Sequence, residues 1–518
     1  MGIVFGMMVA YFAVIAILVL RTPKTTKSTS FEEFYTGSKT LGGFMIGIVM
    51  LVTCMSGSTW TGWVGMGFEN GVFIAYCIPY VCIAWAVFLY ILADKIWPLG
   101  KHYGLSTMAD LYELRYQNKG IKIFTGLVGA VMNVTWITME IVTLGYIINV
   151  ASNFHISTAV GSLIGVIFMV AYTLWGGVRS IAKVNYFQSI VMLIGCLVCV
   201  LFVIFNNFDS IPAMFNTVHE YLPAALTLPG PEGIGTDKEW FSWTFLCCIG
   251  LLCYPSLYLK IYMGKSVNAI RKSAITAGAS SIWMEIVLVL ASFAVIAYQA
   301  KTGIDVTNVE SSLLLVVQNS GSMLMLGIAC VFILAATMGT IDGTLLAISG
   351  IFSNDVVEGF RRINKNDGNL GTAEYHGALK VGGQDGDKTL RETRIIIVII
   401  AVAAYLITLF DLPLLVWVAM INYQVIGQLC VPLFGAVFWK KATVWGTATS
   451  IVAALLTTVI PLAIGIEPFG FLPGVTGLVV GAIVYIIVCL ATYKPDRPEA
   501  LIFPQIKKVQ SMYLEKQD

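Results

Sequence analysis

The chain has 518 residues, of which 58% are hydrophobic and 12% are charged, and its formal net charge is +2. A water-soluble fold could not cover that much apolar surface, so the composition excludes a soluble multidomain protein. The small net charge gives no support for a nucleic-acid partner. All 11 cysteines fall in apolar segments without metal-ligand spacing, so we expect neither a disulfide framework nor a transition-metal site.

Apolar runs long enough to cross a bilayer recur along the whole chain. Crossing the hydrocarbon core, roughly 30 Å thick, takes about 20 apolar residues at about 1.5 Å of rise each. This pattern predicts an all-α membrane protein with about 13 transmembrane helices, the first of which is retained because its basic residues follow it. The predicted helices are 3–20, 41–68, 72–93, 122–150, 156–175, 185–206, 241–262, 272–299, 322–352, 395–410, 413–438, 443–465 and 473–492.

Lysine and arginine residues gather in every second connection between these helices. If the N-terminus lies outside, only Lys238 and Lys301 of the 31 basic residues fall in outer connections. The positive-inside rule assigns the basic connections to the cytoplasm. We therefore predict a multi-pass protein of the plasma (inner) membrane, with its N-terminus outside and its C-terminus cytoplasmic.

Two of the predicted helices, the second and the seventh, are interrupted near their middle by polar residues and glycine. An interruption in lipid leaves backbone groups unpaired, which is costly, so it indicates a cavity. Two kinked structural helices are the alternative interpretation. A pair of broken helices is typical of inverted-repeat transporters, whose solute site lies at the breaks. The candidates for lining that cavity are Ser56, Ser58, Thr59 and Trp60 in the second helix and Tyr254 and Ser256 in the seventh.

Ionisable residues inside predicted spans are further candidates, because a buried carboxylate is expensive and usually faces a cavity or a partner. Glu140 in the fourth helix is a candidate for both the solute cavity and ion coupling, and Asp342 in the ninth is a second candidate coupling acid. A structural acid bonded to a neighbouring helix, or for Asp342 a position near the helix end, is the alternative. Asn422, Tyr423 and Gln424 in the eleventh helix could line the same cavity or act as a gate.

Four short motifs follow one another along the chain, and each falls on the side of the membrane that the charge pattern predicts. They are Asp110–Arg115 after Gly104, Gly176–Gln188, Pro255–Lys260 with Gly264, and Phe438–Thr443 followed by Gly446. In this order they resemble motifs of the sodium:solute symporter family, which includes proline, pantothenate and sugar symporters. The resemblance extends over nearly the whole chain.

The resemblance implies a LeuT-type core of ten helices built as a five-plus-five inverted repeat. The expected units are an N-terminal extra helix with the first cytoplasmic loop (1–40), the first five-helix repeat (41–206), an extracellular loop (207–240), the second five-helix repeat with the cytoplasmic loop 353–394 (241–438), and two C-terminal helices with a cytoplasmic tail (439–518).

The resemblance also implies Na⁺ as the coupling ion, with no other cofactor. Its site is expected where the unwound second helix meets the ninth. The ligands would be the carbonyl oxygens of Val52, Met55 and Ala336 and the hydroxyl of Thr340, because sodium prefers oxygen ligands. Gly339 departs from the serine that the family usually has there, so one hydroxyl is missing.

From these observations we expect a secondary active transporter, a symporter that moves a small polar organic solute by alternating access together with Na⁺. The same fold coupled to protons, or independent of Na⁺, is one alternative, and a transporter-like solute sensor is another. An enzyme is not expected, because no nucleophile, base and orienting group occur together. The expected partners are the solute, Na⁺ or H⁺ and the lipid bilayer, with no obligate protein partner.

Overall fold

The computed structural model describes residues 2–21, 41–306, 308–357, 359–361, 384–410 and 412–515. Within these ranges the regular secondary structure is helical, and a single parallel bridge pairs Leu41 with Gly264. This confirms the predicted all-α class. The first predicted cytoplasmic loop, and residues 362–383 of the predicted loop 353–394, lie outside the described residues.

The helices are numbered here in chain order. The first part of the chain forms α1 (Gly2–Leu20), α2 (Gly43–Cys54), α3 (Val64–Asn70), α4 (Phe73–Tyr103), α5 (Met108–Tyr116), α6 (Lys119–Ala151), α7 (Thr158–Phe208) and α8 (Ile211–Tyr221). The second part forms α9 (Asp237–Leu252), α10 (Pro255–Met263), α11 (Val267–Thr302), α12 (Ser312–Asn319), α13 (Met323–Gly350), α14 (Gln384–Ile407), α15 (Leu415–Ile426), α16 (Cys430–Phe438), α17 (Val444–Ile464), α18 (Pro473–Thr492) and α19 (Pro498–Glu515). Short π-helical segments precede α3 at Thr59–Trp63 and follow α13 at Ile351–Val357.

Polar side chains in the connections mark where many of these helices begin. Each accepts a hydrogen bond from a backbone N–H of the first turn, a donor that the helix itself leaves unpaired. The capping residues are Thr107, Asn118, Ser157, Ser210, Thr236, Ser266, Ser322 and Thr443. The start of an apolar helix is thus set by the polar residue just before it.

In the described part of the chain, nine helices are long and apolar enough to cross a membrane. Two further spans are bent pairs. The segments Gly43–Cys54 and Thr59–Asn70 meet at 56°, and α9 meets α10 at 47°. These bends lie in the second and seventh predicted helices, where the sequence predicts interruptions. The count of about 13 spans stays a prediction.

Helix α7 differs from the sequence prediction. The polar segment between the apolar runs predicts two helices, 156–175 and 185–206, but the structure has one helical run of 51 residues, Thr158–Phe208. Only Thr158–Ala171 and Ile181–Phe208 are strongly apolar within it. The structure therefore joins the two predicted apolar segments without a loop, because polar residues and glycine weaken a helix without removing its backbone hydrogen bonds, and no proline interrupts them.

Helix α13 lies in the middle of the bundle. Nearly every residue from Leu326 to Gly350 is buried, and the helix packs against α1, α6, α7 and α10. Small residues permit these close approaches. A side chain at Gly327 would overlap Met7 of α1, for example. Other helices therefore surround the ninth predicted helix along most of its length, including its polar residues.

Four ionisable side chains form a buried cluster where α5, the start of α6 and the segment after α13 meet. Lys122 Nζ lies 2.7 Å from an oxygen of Asp110, 3.0 Å from one of Glu113 and 3.6 Å from one of Asp355. All four side chains are buried. The Thr107 hydroxyl also donates to Asp355 at 3.1 Å. The cluster, called here the inner ion cluster, therefore joins three separate segments of the chain.

Neighbouring groups lower the pKa of one carboxyl group in this cluster. Burial alone raises the pKa of the Asp110 carboxyl. The Lys122 ammonium and the hydrogen bonds from Ser106 outweigh that effect and lower the pKa to about 2. Because the folded-state pKa lies below the usual value of about 3.9, this carboxylate stabilises the fold above that pH. The contribution is lost as the pH falls towards 2.

Replacing Lys122 with methionine should destabilise the protein strongly. The Lys122→Met variant leaves three buried carboxylates without their shared cation, and breaking such a buried pair costs about 3–5 kcal/mol. We expect a large fall in the thermal unfolding midpoint of the purified protein in detergent. The matched control is Lys95→Met, which removes a partly exposed pair with Asp94 and should cost less than about 1 kcal/mol. Equal midpoints for the two variants would contradict the assignment of the inner ion cluster.

Candidate functional site

The first helix break is a short segment rich in hydroxyl groups. Helix α2 ends at Cys54, and Met55 has the non-helical angles φ −98° and ψ 79°. The Ser56 hydroxyl lies 2.8 Å from Ser58 Oγ and 3.0 Å from Thr59 Oγ1, and the Ser56 N–H donates to Thr59 Oγ1 at 3.1 Å. These side chains replace some of the hydrogen bonds that the interrupted helix has lost.

Glu140 of α6 caps the second half of this broken helix. Gly57 N–H donates to its Oε2 at 3.0 Å, Ser58 N–H donates to Oε1 at 3.4 Å, and the Ser58 hydroxyl donates to Oε1 at 2.6 Å. The Glu140 side chain is fully buried. A carboxylate is favoured there because the N–H groups and the dipole of a helix N-terminus attract negative charge. Helix α6 therefore supplies the hydrogen-bond acceptor that caps this half-helix.

Three aromatic rings from three helices meet beside Glu140. Trp136 lies one turn before Glu140 on α6, and its ring centroid is 5.4 Å from those of both Tyr254 and Tyr423. Tyr254 immediately precedes α10, at the second helix break, and its hydroxyl lies 2.7 Å from Thr344 Oγ1 of α13. Trp136, Tyr254 and Tyr423, called here the aromatic cluster, thus connect the first break, the second break and α15.

Two glycines let the broken helices approach their neighbours this closely. A Cβ on Gly57 would overlap the side-chain oxygen of Thr337 in α13 and lie 2.8 Å from its Cβ. A Cβ on Gly250, near the end of α9, would lie 2.6 Å from a ring carbon of Tyr423. Both breaks are therefore packed against other helices at distances that only glycine permits.

Three oxygen atoms of the predicted sodium site come together where α2 packs against α13. Thr340 Oγ1 lies 2.7 Å from the carbonyl oxygen of Val52 and 3.1 Å from that of Ala336. Met55 lies at the end of α2, where the regular helix stops. Oxygen ligands are the kind that a hard cation such as Na⁺ requires, so the residues fit the ion in their chemistry.

Gly339 adds no ligand to this group of oxygens. A Cβ at this position would overlap the Val52 side chain and lie 3.0 Å from Gln188 Oε1. Its carbonyl oxygen accepts a hydrogen bond from the Asn185 amide at 3.3 Å. The Val52 side chain therefore occupies the space that a side chain at position 339 would need.

Lys260 of α10 brings a charge close to the same oxygens. It is 4% exposed, and its Nζ has no hydrogen-bond partner in the part of the chain that the structure describes. A Cβ on Gly343 would lie 3.6 Å from this Nζ and 3.8 Å from Thr53 Oγ1. Because Gly343 follows Thr340 by about one helical turn, the ammonium lies close to the oxygens of the predicted sodium site.

Two of the predicted site residues lie elsewhere. The Asp342 carboxylate accepts a hydrogen bond from the Thr173 hydroxyl at 3.2 Å, on the side of α13 that faces α7. The Gln424 side chain accepts from the Gly474 N–H of α18 at 2.9 Å. The structure therefore places both residues at helix–helix contacts away from Glu140.

The remaining candidates lie nearer the breaks. Trp60 packs edge-on against Phe332 of α13 at 5.1 Å between ring centroids. Ser256 is the second residue of α10 and is buried beside Tyr254. Asn422 is buried next to Tyr423, and neither of its amide atoms has a hydrogen-bond partner among the described residues.

Sequence reasoning did not select Trp136 or Thr344 as site residues. Trp136 precedes Glu140 by four residues, a spacing that puts both on one face of a helix, so its role could have been predicted from that acid. Thr344 gave no such signal, since threonines are common in these helices. Its place was decided by the packing of α13 against Tyr254.

Comparison with known proteins gives a family match and similar transporters. The profile of the Sodium:solute symporter family matches residues 34–453. A sodium/pantothenate symporter of Haemophilus influenzae is 22% identical over 490 residues, which cover 94% of this chain and 96% of the relative. The osmoregulated proline transporter OpuE of Bacillus subtilis is 22% identical over 510 residues, which cover 96% of each chain.

Solved structures agree with these matches at the level of the fold. A Na⁺-coupled sialic acid symporter, solved in a substrate-bound outward-open state, superposes with a TM-score of 0.73 at 15% identity, over 94% of this chain and 97% of the other. A nucleobase-cation-symport-1 family transporter gives a TM-score of 0.56 at 13% identity, over 93% of this chain and 98% of the other. These neighbours have the LeuT fold, which supports the fold predicted from the sequence.

Substituting Gly57 should disturb the first break. Gly57→Ala forces a methyl group into the Thr337 side chain, and overpacking of this kind costs about 1–3 kcal/mol. We expect a lower thermal unfolding midpoint, whereas Gly6→Ala, at a helix position with open space around it, should leave the midpoint unchanged or slightly higher. Thr337→Gly combined with Gly57→Ala should cost less than the sum of the two single changes, because the clash is shared. Additive effects would show that the two residues do not meet.

Proposed function

The chain belongs to the sodium:solute symporter family, and from that premise we propose that it carries a small polar organic solute across the membrane by alternating access. It is a membrane transporter and not an enzyme. The observation that carries the proposal is the meeting of both helix breaks at one buried cluster. Glu140 caps the first break, and Trp136 contacts the tyrosine that begins the helix after the second. Broken helices near the membrane midplane are where transporters of this architecture bind their solutes.

The side chains around the breaks suit a small polar solute. Hydroxyls at Ser56, Ser58 and Thr59, the carboxylate of Glu140 and the amide of Asn422 can exchange hydrogen bonds, and the rings supply apolar faces. Two relatives are described as carrying pantothenate and proline, which are organic molecules of this size class. We propose a solute of comparable size for this chain.

A small cavity of about 10 Å³ lies between the second break and the inner ion cluster. Its lining includes Gly129, Pro255 and Asp355, so it joins the start of α10 to the carboxylate that contacts Lys122. We propose that the inner ion cluster closes the cytoplasmic route to the solute. Its contacts join α5, α6 and the segment after α13, and they would have to separate when the site opens inwards.

We further propose that transport is coupled to Na⁺, held by the carbonyl oxygens of Val52, Met55 and Ala336 and the hydroxyl of Thr340. A bound cation would offset the negative ends of these oxygen dipoles and so favour the packing of α2 against α13. The Thr340 hydroxyl oxygen already lies 2.7 Å from the carbonyl oxygen of Val52 and 3.1 Å from that of Ala336. The sodium coupling named for the relatives supports this proposal.

Two observations favour a second candidate, a transporter of the same fold that is coupled to protons or to no ion. Lys260, whose Nζ has no hydrogen-bond partner among the described residues, lies near the predicted sodium site. When it is protonated, its charge would repel a bound cation. Gly339 also provides one oxygen fewer than the family's usual serine. Sodium dependence therefore has to be measured directly.

Uptake into liposomes distinguishes these candidates. Purified protein in liposomes should accumulate its solute faster with an inward sodium gradient than with an equal potassium gradient. Thr340→Ala should raise the sodium concentration for half-maximal uptake by roughly tenfold, because it removes one ligand worth about 1–3 kcal/mol. Thr449→Ala, which removes a hydroxyl bonded only to its own helix backbone, is the matched control. Equal uptake in sodium and potassium would refute sodium coupling, and dependence on a pH gradient would then support the proton-coupled alternative.

The missing hydroxyl can be restored in a second experiment. Gly339→Ser alone should be poorly tolerated, since its Cβ would overlap the Val52 side chain. Gly339→Ser together with Val52→Ala makes room for the hydroxyl and adds an oxygen to the proposed site. We expect the double variant to reach half-maximal uptake at a lower sodium concentration than Val52→Ala alone. An unchanged sodium dependence would place the ion elsewhere.

A further inference from the structure

The half-helix that begins after the first break already holds a carboxylate. In transporters with this architecture, the N-terminus of a half-helix is where an anionic group of the substrate binds. Here Glu140 accepts hydrogen bonds from two backbone N–H groups and one hydroxyl at that end. A solute carboxylate at the same place would lie against the charge of Glu140. The first break therefore disfavours an anion.

Neutral groups hold the Glu140 carboxylate. It accepts hydrogen bonds from the N–H groups of Gly57 and Ser58 and from serine hydroxyls of the first break. In the described part of the chain, no lysine or arginine forms an ion pair with Glu140. Lys260, the buried cation nearest the break, lies beside Gly343 and Thr53 instead. The negative charge of Glu140 is thus balanced only by hydrogen bonds and the helix dipole.

The aromatic cluster adds a second feature that attracts cations. The planes of Tyr254 and Tyr423 are tilted by 53° and 58° to that of Trp136, so neither tyrosine stacks face to face on the indole. Aromatic faces carry negative charge density and bind ammonium groups, most strongly when water is excluded. The hydroxyl of Tyr254 is engaged with Thr344, which leaves the ring as its contribution to the site.

Polar groups without partners in or next to the aromatic cluster are available to a ligand. The Trp136 indole N–H is buried and has no hydrogen-bond partner among the described residues, and the same holds for both amide atoms of Asn422, the residue before Tyr423. Buried polar groups are nearly always paired, so each of these requires an explanation. A bound solute with polar groups besides its cationic centre would supply the partners.

From these observations we propose that the transported solute carries an ammonium group, and that Glu140 and the rings of Trp136, Tyr254 and Tyr423 bind it. The proposal rests on the transport function proposed above and specifies its substrate class. The carboxylate provides a negative charge, the rings provide cation–π contacts that need no hydrogen bond, and burial strengthens both interactions. Glu140 is then a specificity-determining residue as well as the cap of the first break.

Binding of matched probes to the full-length protein in lipid nanodiscs tests this proposal. The ammonium probes are methylammonium, ethanolamine and choline. The neutral comparison is the carbon isostere of choline, in which carbon replaces the quaternary nitrogen, and the anionic comparison is acetate. At constant sodium chloride, choline should stabilise the protein against thermal unfolding at a concentration about tenfold lower than its isostere, because only choline gains the charge and cation–π contacts. Acetate should not bind at this site.

Two variants test whether Glu140 and Trp136 cause the preference for choline over its isostere. Glu140→Gln keeps an oxygen that can accept from Gly57 and Ser58 but removes the charge, so choline and its isostere should then bind within about twofold of each other. Trp136→Leu should weaken choline binding by roughly tenfold and affect the isostere less. The matched control is Glu285→Gln, which neutralises another buried acid whose carboxylate contacts Cys82 on α4, and it should keep the preference for choline.

The wild-type probe series decides the proposal even if a variant fails to fold. Equal binding of choline and its isostere, tighter binding of acetate, or no binding of any ammonium probe would overturn it. These results would leave the proposed function intact if a neutral or anionic solute is taken up by liposomes. Conversely, binding of choline without uptake of any solute, whether cationic, neutral or anionic, would confirm the site and refute transport.

Discussion

The structure depends on how the chain satisfies an interrupted backbone inside a membrane. Helix α2 stops at Cys54, and the N–H groups that follow would be costly in lipid without partners. Glu140 provides those partners from α6, a helix separated from the break by more than 80 residues of sequence. The same contact brings a negative charge and the ring of Trp136 to the first break. Stability of the break and chemistry of the site therefore come from one side chain.

The close packing around the breaks depends on residues without side chains. Gly57 meets Thr337, Gly250 meets Tyr423, and Gly339 leaves room for Val52. Each contact packs a broken or neighbouring helix closely against α13 or α15. Alternating access in such a bundle requires groups of helices to shift as units, because packed interfaces have discrete arrangements and do not deform continuously.

Buried ionisable groups have different partners in the inner ion cluster and near the helix breaks. In the inner ion cluster, Lys122 lies 2.7 to 3.6 Å from three carboxyl groups, which share its positive charge. Near the breaks, Glu140 is held by hydrogen bonds alone, and Lys260 has no hydrogen-bond partner among the described residues. Paired charges suit a closed contact, whereas charges without ionic partners suit positions that ligands or ions approach.

The sequence by itself determined the all-α membrane class, the family and the position of both helix breaks. Apolar length, charge distribution and polar interruptions are local properties of the chain, and they remain visible without its partners. It also selected Glu140, because an acid in an apolar run is conspicuous. Only the tertiary structure decided which candidates meet. It brought Trp136, Tyr254 and Tyr423 to Glu140 and directed Asp342 and Gln424 to other helices, because the direction of a side chain depends on helix rotation and packing. The continuous helix α7 was missed for the related reason that a polar segment keeps its helical hydrogen bonds when no proline interrupts them.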